Sequence, residues 1–332
     1  MKKRSLLAAA ASLVVAASVA GCGGADSSSG GKDVTINFAT WPVIAPVPVM
    51  QQQGQLKKEG YNVKWVPVNT SLPGAASAMV GGKLDMAYAN SVTAMTIFAK
   101  SPKVAIFTGR AFINMNSTVV RDGSGIKSVE DLAGQKVVMS GKKTASTLYY
   151  EIRLRRAGVK PDRSQYFVSG AGPSMVGVLA SGAANVAAAY VPYSTKMEEK
   201  NIGHTMFTAS EALGSTAPGD GLVVRREFAE KHPQAVVDVL KAMFSATDAI
   251  KKDPASHYQA MAKYAKVEPS TVKAALKGDI YAPSYTPDVD SMVKVAKLAQ
   301  QAGFAPKGTN LAKFAKDTLI QTKYAKKALG SQ

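Results

Sequence analysis

Apolar and polar positions along this chain follow two rhythms, and the switches between them lay out its elements. Residues 33–41, "DVTINFATW", keep a period of two and predict a first strand. "PVMQQQGQLKKEG" predicts a helix closed by Gly60, and "YNVKWVPV" a second strand. In "GAASAMVGGKLDMAYAN" a helix runs to a glycine break and then a strand. "SVTAMTIFAKS" is a further helix and "KVAIFTGRAFI" a further strand. The middle of the chain repeats the plan. Strand "STVVR" is followed by a short helix and a strand in "SVEDLAGQKVVMS", then by the long helix "TASTLYYEIRLRRAG", closed by Gly158. Strand "QYFVSG" comes next, then helix, glycine and strand again in "PSMVGVLASGAANVAAAYVPYSTKM". Strands alternating with helices of this length predict an α/β architecture with parallel pairing.

Residues 77–91 and 177–194 are alike: a helix of small residues, glycine, a short polar turn, and an apolar stretch ending at a tyrosine or its neighbour. Duplication or convergent patterning explains this equally, and either predicts two similarly built lobes. After "GDGLVVRREFAEKHP" the pattern is helical almost throughout, punctuated by Pro233, Pro254, Pro269 and Pro306. This predicts a return to the first lobe, where the chain finishes.

The amino end reads differently. Lys2, Lys3 and Arg4 precede an apolar run from Leu6 to Val19, shorter than the ~20 residues of a comfortable membrane span. Residues 1–21 therefore read as an export leader. The single cysteine closes Val19-Ala20-Gly21-Cys22, which resembles the bacterial lipobox. In lipoproteins of that type the cysteine carries the lipid and opens the mature chain, and each buried methylene contributes about 0.8 kcal/mol of anchoring. Residues 22–32, rich in Gly, Ser and Asp, read as a flexible tether. The expected mature protein lies outside the cytoplasmic membrane, lipid-anchored at Cys22, on the periplasmic face if the host is Gram-negative. It contains no internal disulfide, and its 46% hydrophobic residues suffice for a core built by packing alone.

A net charge of +18 admits nucleic acid, an acidic surface or an anionic ligand. The lysines spread along helical stretches such as "AKLAQQAGFAPKG" and "FAKDTLIQTKYAKKAL", with no interleaved aromatic platform. That argues against nucleic acid. His204, His232 and His257 show no ligand spacing, no phosphate-binding G-x-x-x-x-G-K-[ST] loop occurs, and no G-x-S-x-G elbow occurs. No metal, no cofactor and no catalytic residue are expected. What recurs is a group of small polar residues between a strand end and a helix: Thr70 and Ser71; Asn90 and Ser91; Ser140, Gly141, Thr144, Ala145 and Ser146; Ser169, Gly170 and Gly172. Helix starts expose backbone N–H groups and carry about half a positive charge. In α/β sheets they gather at the carboxyl ends of strands, where ligands bind. Each turn alone is an ordinary cap, whereas four around one crevice form an anion site. Trp41, and Tyr190 and Tyr193 around Pro192, lie near the same ends and offer an aromatic wall.

Taken together, the opening strand with Trp41-Pro42, "AMVGGKLDMAYAN", "SVEDLAGQKVVMSGKKTASTLYY", "MVGVLASGAANVAAAYVPY" and "GLVVRREFAEKHPQAVVDVLKAM" resemble one family. It is the type II periplasmic-binding-fold group for nitrate, sulfonates, taurine and thiamine-pyrimidine precursors, the solute-binding components of ABC importers. The resemblance implies a two-lobed fold with a helical C-terminal segment. Residues 33–114 plus 216–332 would form lobe one and 115–215 lobe two, closing by a hinge on the ligand. It implies a monomer that docks on an ABC permease and its ATPase. Carried over by position, the site uses Trp41, Ser71, Asn90 and Ser91 from lobe one, with Asn116, Ser117, Thr144, Ala145, Ser169 and Tyr190 from lobe two. The chain departs from the commoner pattern in two places. Two lysines follow Gly141, and Asn185-Val186 leads to Tyr190-Val191-Pro192 where the family often has Asp-Ala and a tryptophan. The expected function is capture of a small organic oxyanion, a sulfonate of the taurine type. The alternatives are a thiamine-pyrimidine precursor or other nitrogen heterocycle, whose sites add carboxylates, and a tethered enzyme or sensor. Asp85 and Asp220, nearby in sequence, are read as structural.

Overall fold

Seven residues, five of them β-branched or aromatic, form β1 (Val34–Thr40), with Ile36, Phe38 and Ala39 buried. The computed structural model describes residues 33–68, 72–169 and 172–330. The expected leader, Cys22, the tether, Thr70, Ser71 and Gly170 lie outside the described residues. After β1 come β2 (Tyr61–Pro67), β3 (Met86–Asn90), β4 (Ala105–Phe112) and β5 (Asn116–Arg121). Then follow β6 (Lys136–Met139), β7 (Gln165–Val168), β8 (Val186–Tyr190), β9 (Gly203–Thr208) and β10 (Asp220–Arg225). The helices up to the middle of the chain are α1 (Val47–Gln51), α2 (Gln53–Lys58), α3 (Leu72–Val80), α4 (Ser91–Phe98), α5 (Ala145–Arg156), α6 (Gly172–Ala180), α7 (Tyr193–Glu199) and α8 (Ala209–Leu213). The last third adds α9 (Arg226–Lys231), α10 (Pro233–Lys252), α11 (Tyr258–Ala265), α12 (Pro269–Leu276), α13 (Val289–Gln301), α14 (Leu311–Phe314) and α15 (Thr322–Ala328).

Two five-stranded sheets result, ordered β2-β1-β3-β10-β4 and β7-β6-β8-β5-β9. Within them β1 runs parallel to β2 and β3, and β6 parallel to β7 and β8. The expectation of parallel pairing fails for the fourth strand of each order. β10 is antiparallel to β3 and β4, and β5 is antiparallel to β8 and β9. The cause is the path of the chain. It leaves the first sheet after β4, builds the second, and returns as β10, so β5 and β10 each enter a sheet from the side where the two sheets meet. Their first residues, not their last, therefore stand at that edge.

β9 has no counterpart in the pattern analysis. Its sequence, "GHTMFT", is half polar, as befits an edge strand. Gly203 opens it because a Cβ there would lie 2.3 Å from the Val120 carbonyl oxygen. Gly221 in β10 is under the same constraint, since its Cβ would lie 1.9 Å from the Gly109 carbonyl oxygen.

The helical last third covers the first sheet. The 20-residue α10 buries Val236, Leu240, Met243, Phe244 and Ile250 and packs on α1, α2 and β4. α15 packs on α10 and β4, and α13 on α4. Their lysines remain outside, so most of the positive charge is a solvated helix surface.

Candidate functional site

The site begins where β3 becomes α4. Asn90 ends the strand and caps the helix, its Oδ1 accepting the Val92 N–H at 2.9 Å. That bond fixes the amide, and its Nδ2 donates to Asp220 Oδ1 at 2.6 Å. Antiparallel register is what sets Asp220, the first residue of β10, opposite Asn90. The Tyr88 hydroxyl ties the pair down by donating to the Asp220 carbonyl at 2.8 Å. The second sheet has the same construction: Tyr190 ends β8 and lies opposite Asn116, the first residue of β5. α5 starts nearby, with Thr144 preceding its first residue, Ala145. Thr144 Oγ1 donates to the Gly141 carbonyl at 2.9 Å.

These pieces enclose a cavity of about 70 Å³ lined from both sheets. Trp41, Asn90, Asn116, Thr144, Ala145 and Tyr190 all line it. Ser91, Ser117 and Ser169 are not among its lining residues. Ser91 is fully buried, with its backbone N–H on the Gly219 carbonyl. Ser117 follows Asn116 on a strand, so its side chain leaves by the opposite face. Ser169 has its N–H on the Met139 carbonyl, and its own carbonyl accepts the Ser174 hydroxyl. Sequence reasoning passed over Thr93 and Met115, which line the cavity, and set Asp220 aside as structural, although it also lines it. The signal that would have found Asp220 is the antiparallel pairing of β10, which alternation of apolar residues does not encode.

Electrostatics of the cavity are unusual in one respect. Among the described residues no Lys, Arg or His lines it, whereas the Asp220 carboxyl does. Enclosure in protein pushes the Asp220 pKa up to about 7, against the opposing pull of the Asn90 hydrogen bond. Burial pushes the Tyr190 phenol up to about 12. Tyr149, two percent exposed on α5, has a hydroxyl with no hydrogen-bond partner. Burial first, and the charge of Asp220 second, hold its phenol well above the usual range.

Contacts join the sheets on both flanks of the cavity. On one flank Ala145 N–H, the first amide of α5, donates to Thr93 Oγ1 of α4 at 3.0 Å. Beside it Thr96 Oγ1 donates to the Lys143 carbonyl at 2.9 Å, and the Lys143 ammonium reaches the Gly303 carbonyl and the Phe304 ring. On the other flank Tyr193, fully buried on α7, places its hydroxyl 2.7 Å from the Pro42 carbonyl oxygen and 2.9 Å from that of Ala265. Across Trp41 a larger, open groove of about 760 Å³ begins, with Pro42, Val47, Met50, Val68, Pro173 and Tyr264 along it. Among the described residues no group of His, Cys, Asp and Glu could hold a metal ion, and no helix is long and apolar enough to cross a membrane.

Two mixed sheets of this order, with a cavity between them and helices completing the first, define the two-lobed type II periplasmic-binding fold with a helical C-terminal extension. The chain belongs to the NMT1-like family, which matches residues 28–266. It is 25% identical over 282 residues to the nitrate/nitrite binding protein NrtA of Synechococcus elongatus, covering 75% of this chain and 62% of that protein. The chain thus spans less than two thirds of that relative's length. Among solved structures, the alkanesulfonate-binding protein SsuA of Xanthomonas axonopodis pv. citri, bound to MOPS, superposes with a TM-score of 0.73. Identity there is 16%, with 88% of this chain and 98% of that chain covered. The periplasmic nitrate-binding protein NrtA of Synechocystis PCC 6803 gives a TM-score of 0.72 at 12% identity, covering 90% of this chain and 88% of the other.

Proposed function

We propose that this chain is the extracytoplasmic solute-binding component of an ABC importer and captures a small organic oxyanion between its lobes. One observation carries the reading. The starts of α4 and α5, from different sheets, converge on one cavity together with Thr93, Ser140, Thr144 and Ser146. The positive ends of the two helix dipoles favour an oxyanion without any formal cation, although the Ser91, Val92 and Ala145 N–H groups are already bonded within the protein. Trp41 and Tyr190 supply the apolar wall. A cavity of about 70 Å³ suits an oxyanion head, and the groove across Trp41 offers room for an organic body. Nitrate and alkanesulfonate binding by the similar proteins supports the same class of guest. Residues 33–114 plus 216–332 then act as lobe one and 115–215 as lobe two. Residues 1–21 are the leader, Cys22 takes the lipid, and the monomer delivers its guest to a permease and ATPase. Among the described residues no His, Cys or Lys lines the cavity, and the similar proteins are named as binding proteins, which favours a binder over an enzyme.

Asp220 favours a second reading, in which its carboxylate receives the N–H of a nitrogen heterocycle such as a thiamine-pyrimidine precursor. Thermal denaturation with sulfonates, nitrate, carboxylates and pyrimidines at both pH 6 and pH 8 separates the two. A guest at 100 times its Kd adds about 2.7 kcal/mol of stability. Stabilisation by sulfonates or nitrate is expected, and stabilisation by pyrimidines alone would replace the first reading with the second.

A further inference from the structure

Asp220 is at odds with an oxyanion site. Its carboxyl lines the cavity, Asn90 donates to one of its oxygens, and among the described residues no cation lines the same space. An anion held in about 70 Å³ lies within a few ångströms of it. Two like charges about 4 Å apart at an effective dielectric constant near 20 repel strongly enough to cost roughly a thousandfold in affinity. Accepting a proton removes that penalty.

We propose that Asp220 makes oxyanion capture proton-linked: its carboxyl meets the guest as the neutral acid, donating its O–H to the oxyanion, and an ionised empty site takes up one proton from solvent for each guest bound. This rests on the oxyanion reading above and adds what that reading lacks, a reason for a carboxyl to face the guest. The acid is a donor where its conjugate base would repel. The cost of neutralising it is small, because enclosure already holds its pKa near 7, so the proton costs about tenfold in affinity at pH 8.

The titratable and charged groups around Asp220 do not duplicate this behaviour. Tyr88 on β3, Tyr149 on α5 and Tyr190 on β8 are phenols pushed upward by burial. Arg110 on β4 turns its guanidinium to the Ser284 and Pro218 carbonyls. Lys143, before α5, turns to the Gly303 carbonyl. Asn90, Asn116, Thr144 and Trp41 do not ionise.

Isothermal calorimetry with ethanesulfonate, and with nitrate as a second probe, tests the proposal, since neither probe titrates between pH 5 and 9. Titration of the purified protein in two buffers of different ionisation heat counts the protons. Close to one proton taken up per anion at pH 8.5, almost none at pH 5.5, and affinity falling about tenfold per pH unit above 7 are expected. Asp220→Asn should bind with no proton uptake and a flat pH profile. Anion binding without proton uptake at pH 8.5 overturns the proposal and leaves the oxyanion reading intact. So does a pH dependence that survives in Asp220→Asn. Tighter binding at pH 8.5 than at 5.5 overturns it too. Failure of both probes to bind the unaltered protein at pH 5.5 overturns the oxyanion reading itself. The unaltered protein alone decides these points if the variant does not fold.

Discussion

In the first sheet Asp85, just before β3, accepts from the Asn37 backbone N–H at 2.9 Å and the Asn37 side chain at 3.0 Å, and its other oxygen takes Arg225 Nη2 at 2.8 Å. In the second sheet Asn185, just before β8, accepts from Arg121 Nε at 3.1 Å and donates to Gln135 Oε1 at 3.2 Å. The backbones match as well: Arg225 N–H bonds the Asp85 carbonyl and Arg121 N–H bonds the Asn185 carbonyl. α3 and α6 are nine residues each, β3 and β8 five. At the cavity end of the same strands the first sheet pairs Asn90 with Asp220 and the second pairs Tyr190 with Asn116. One lobe thus carries a carboxyl at both matched places and the other carries a neutral amide. The shared plan tolerates either, so the carboxyls mark what lobe one does alone: a buried ion pair that clamps β10, and an acid that faces the guest.

The largest effect is expected at the clamp. Asp85 is four percent exposed, and Asp85→Ala leaves Arg225 Nη2 and the Asn37 donors without their carboxylate at part-buried positions, while Arg225 Nη1 keeps Glu227. Removing one partner of a buried ion pair costs about 3–5 kcal/mol. Asn185→Ala removes only neutral bonds at a half-buried position and should cost about 1 kcal/mol. Urea denaturation with an unchanged slope measures both. Equal losses would mean that the charged clamp adds nothing over its neutral counterpart.

Next comes the cavity end. Asn116→Asp gives lobe two the carboxyl that only lobe one now has, so that two acids line one cavity. Ethanesulfonate affinity at pH 7 should fall at least about a hundredfold, roughly 2.7 kcal/mol, while the denaturation midpoint moves little. Retained affinity would show that the second sheet's edge does not face the guest.

Much of this comparison was legible in the chain before folding. The likeness of 77–91 to 177–194 is the α3–β3 and α6–β8 pair, because small residues, glycine and a buried strand leave a periodic trace. Asn90, Thr144 and Tyr190 were found because caps and strand ends have a local chemistry. Strand direction has no such trace. Assuming parallel pairing puts only strand ends at the ligand edge, which hid Asp220 at the start of β10, and Asn116 was reached only through the family resemblance. Ser91 and Ser117 sit beside lining residues in sequence but point elsewhere in space, a distinction that one residue of strand or helix phase decides.

The smallest expected effect concerns the flanks, where the two sheets touch without touching the guest. Thr96 does not line the cavity, yet its hydroxyl holds the Lys143 carbonyl of lobe two. Thr96→Val deletes that bond at similar volume, at a cost of about 1 kcal/mol. On the opposite flank Tyr193→Phe removes the hydroxyl that meets the Pro42 and Ala265 carbonyls. A guest that binds the joined form better than the open form gives up affinity in proportion to the population of that form. Each variant should therefore weaken ethanesulfonate binding about fivefold, equivalent to roughly 1 kcal/mol, with no change in its pH profile. Small-angle scattering of the unliganded variants should show a larger radius of gyration than the unaltered protein, returning on saturation. Weakened binding with an unchanged radius would place both residues in guest contact and not in the hinge equilibrium. An affinity lost on one flank only would show that the lobes pivot about the other.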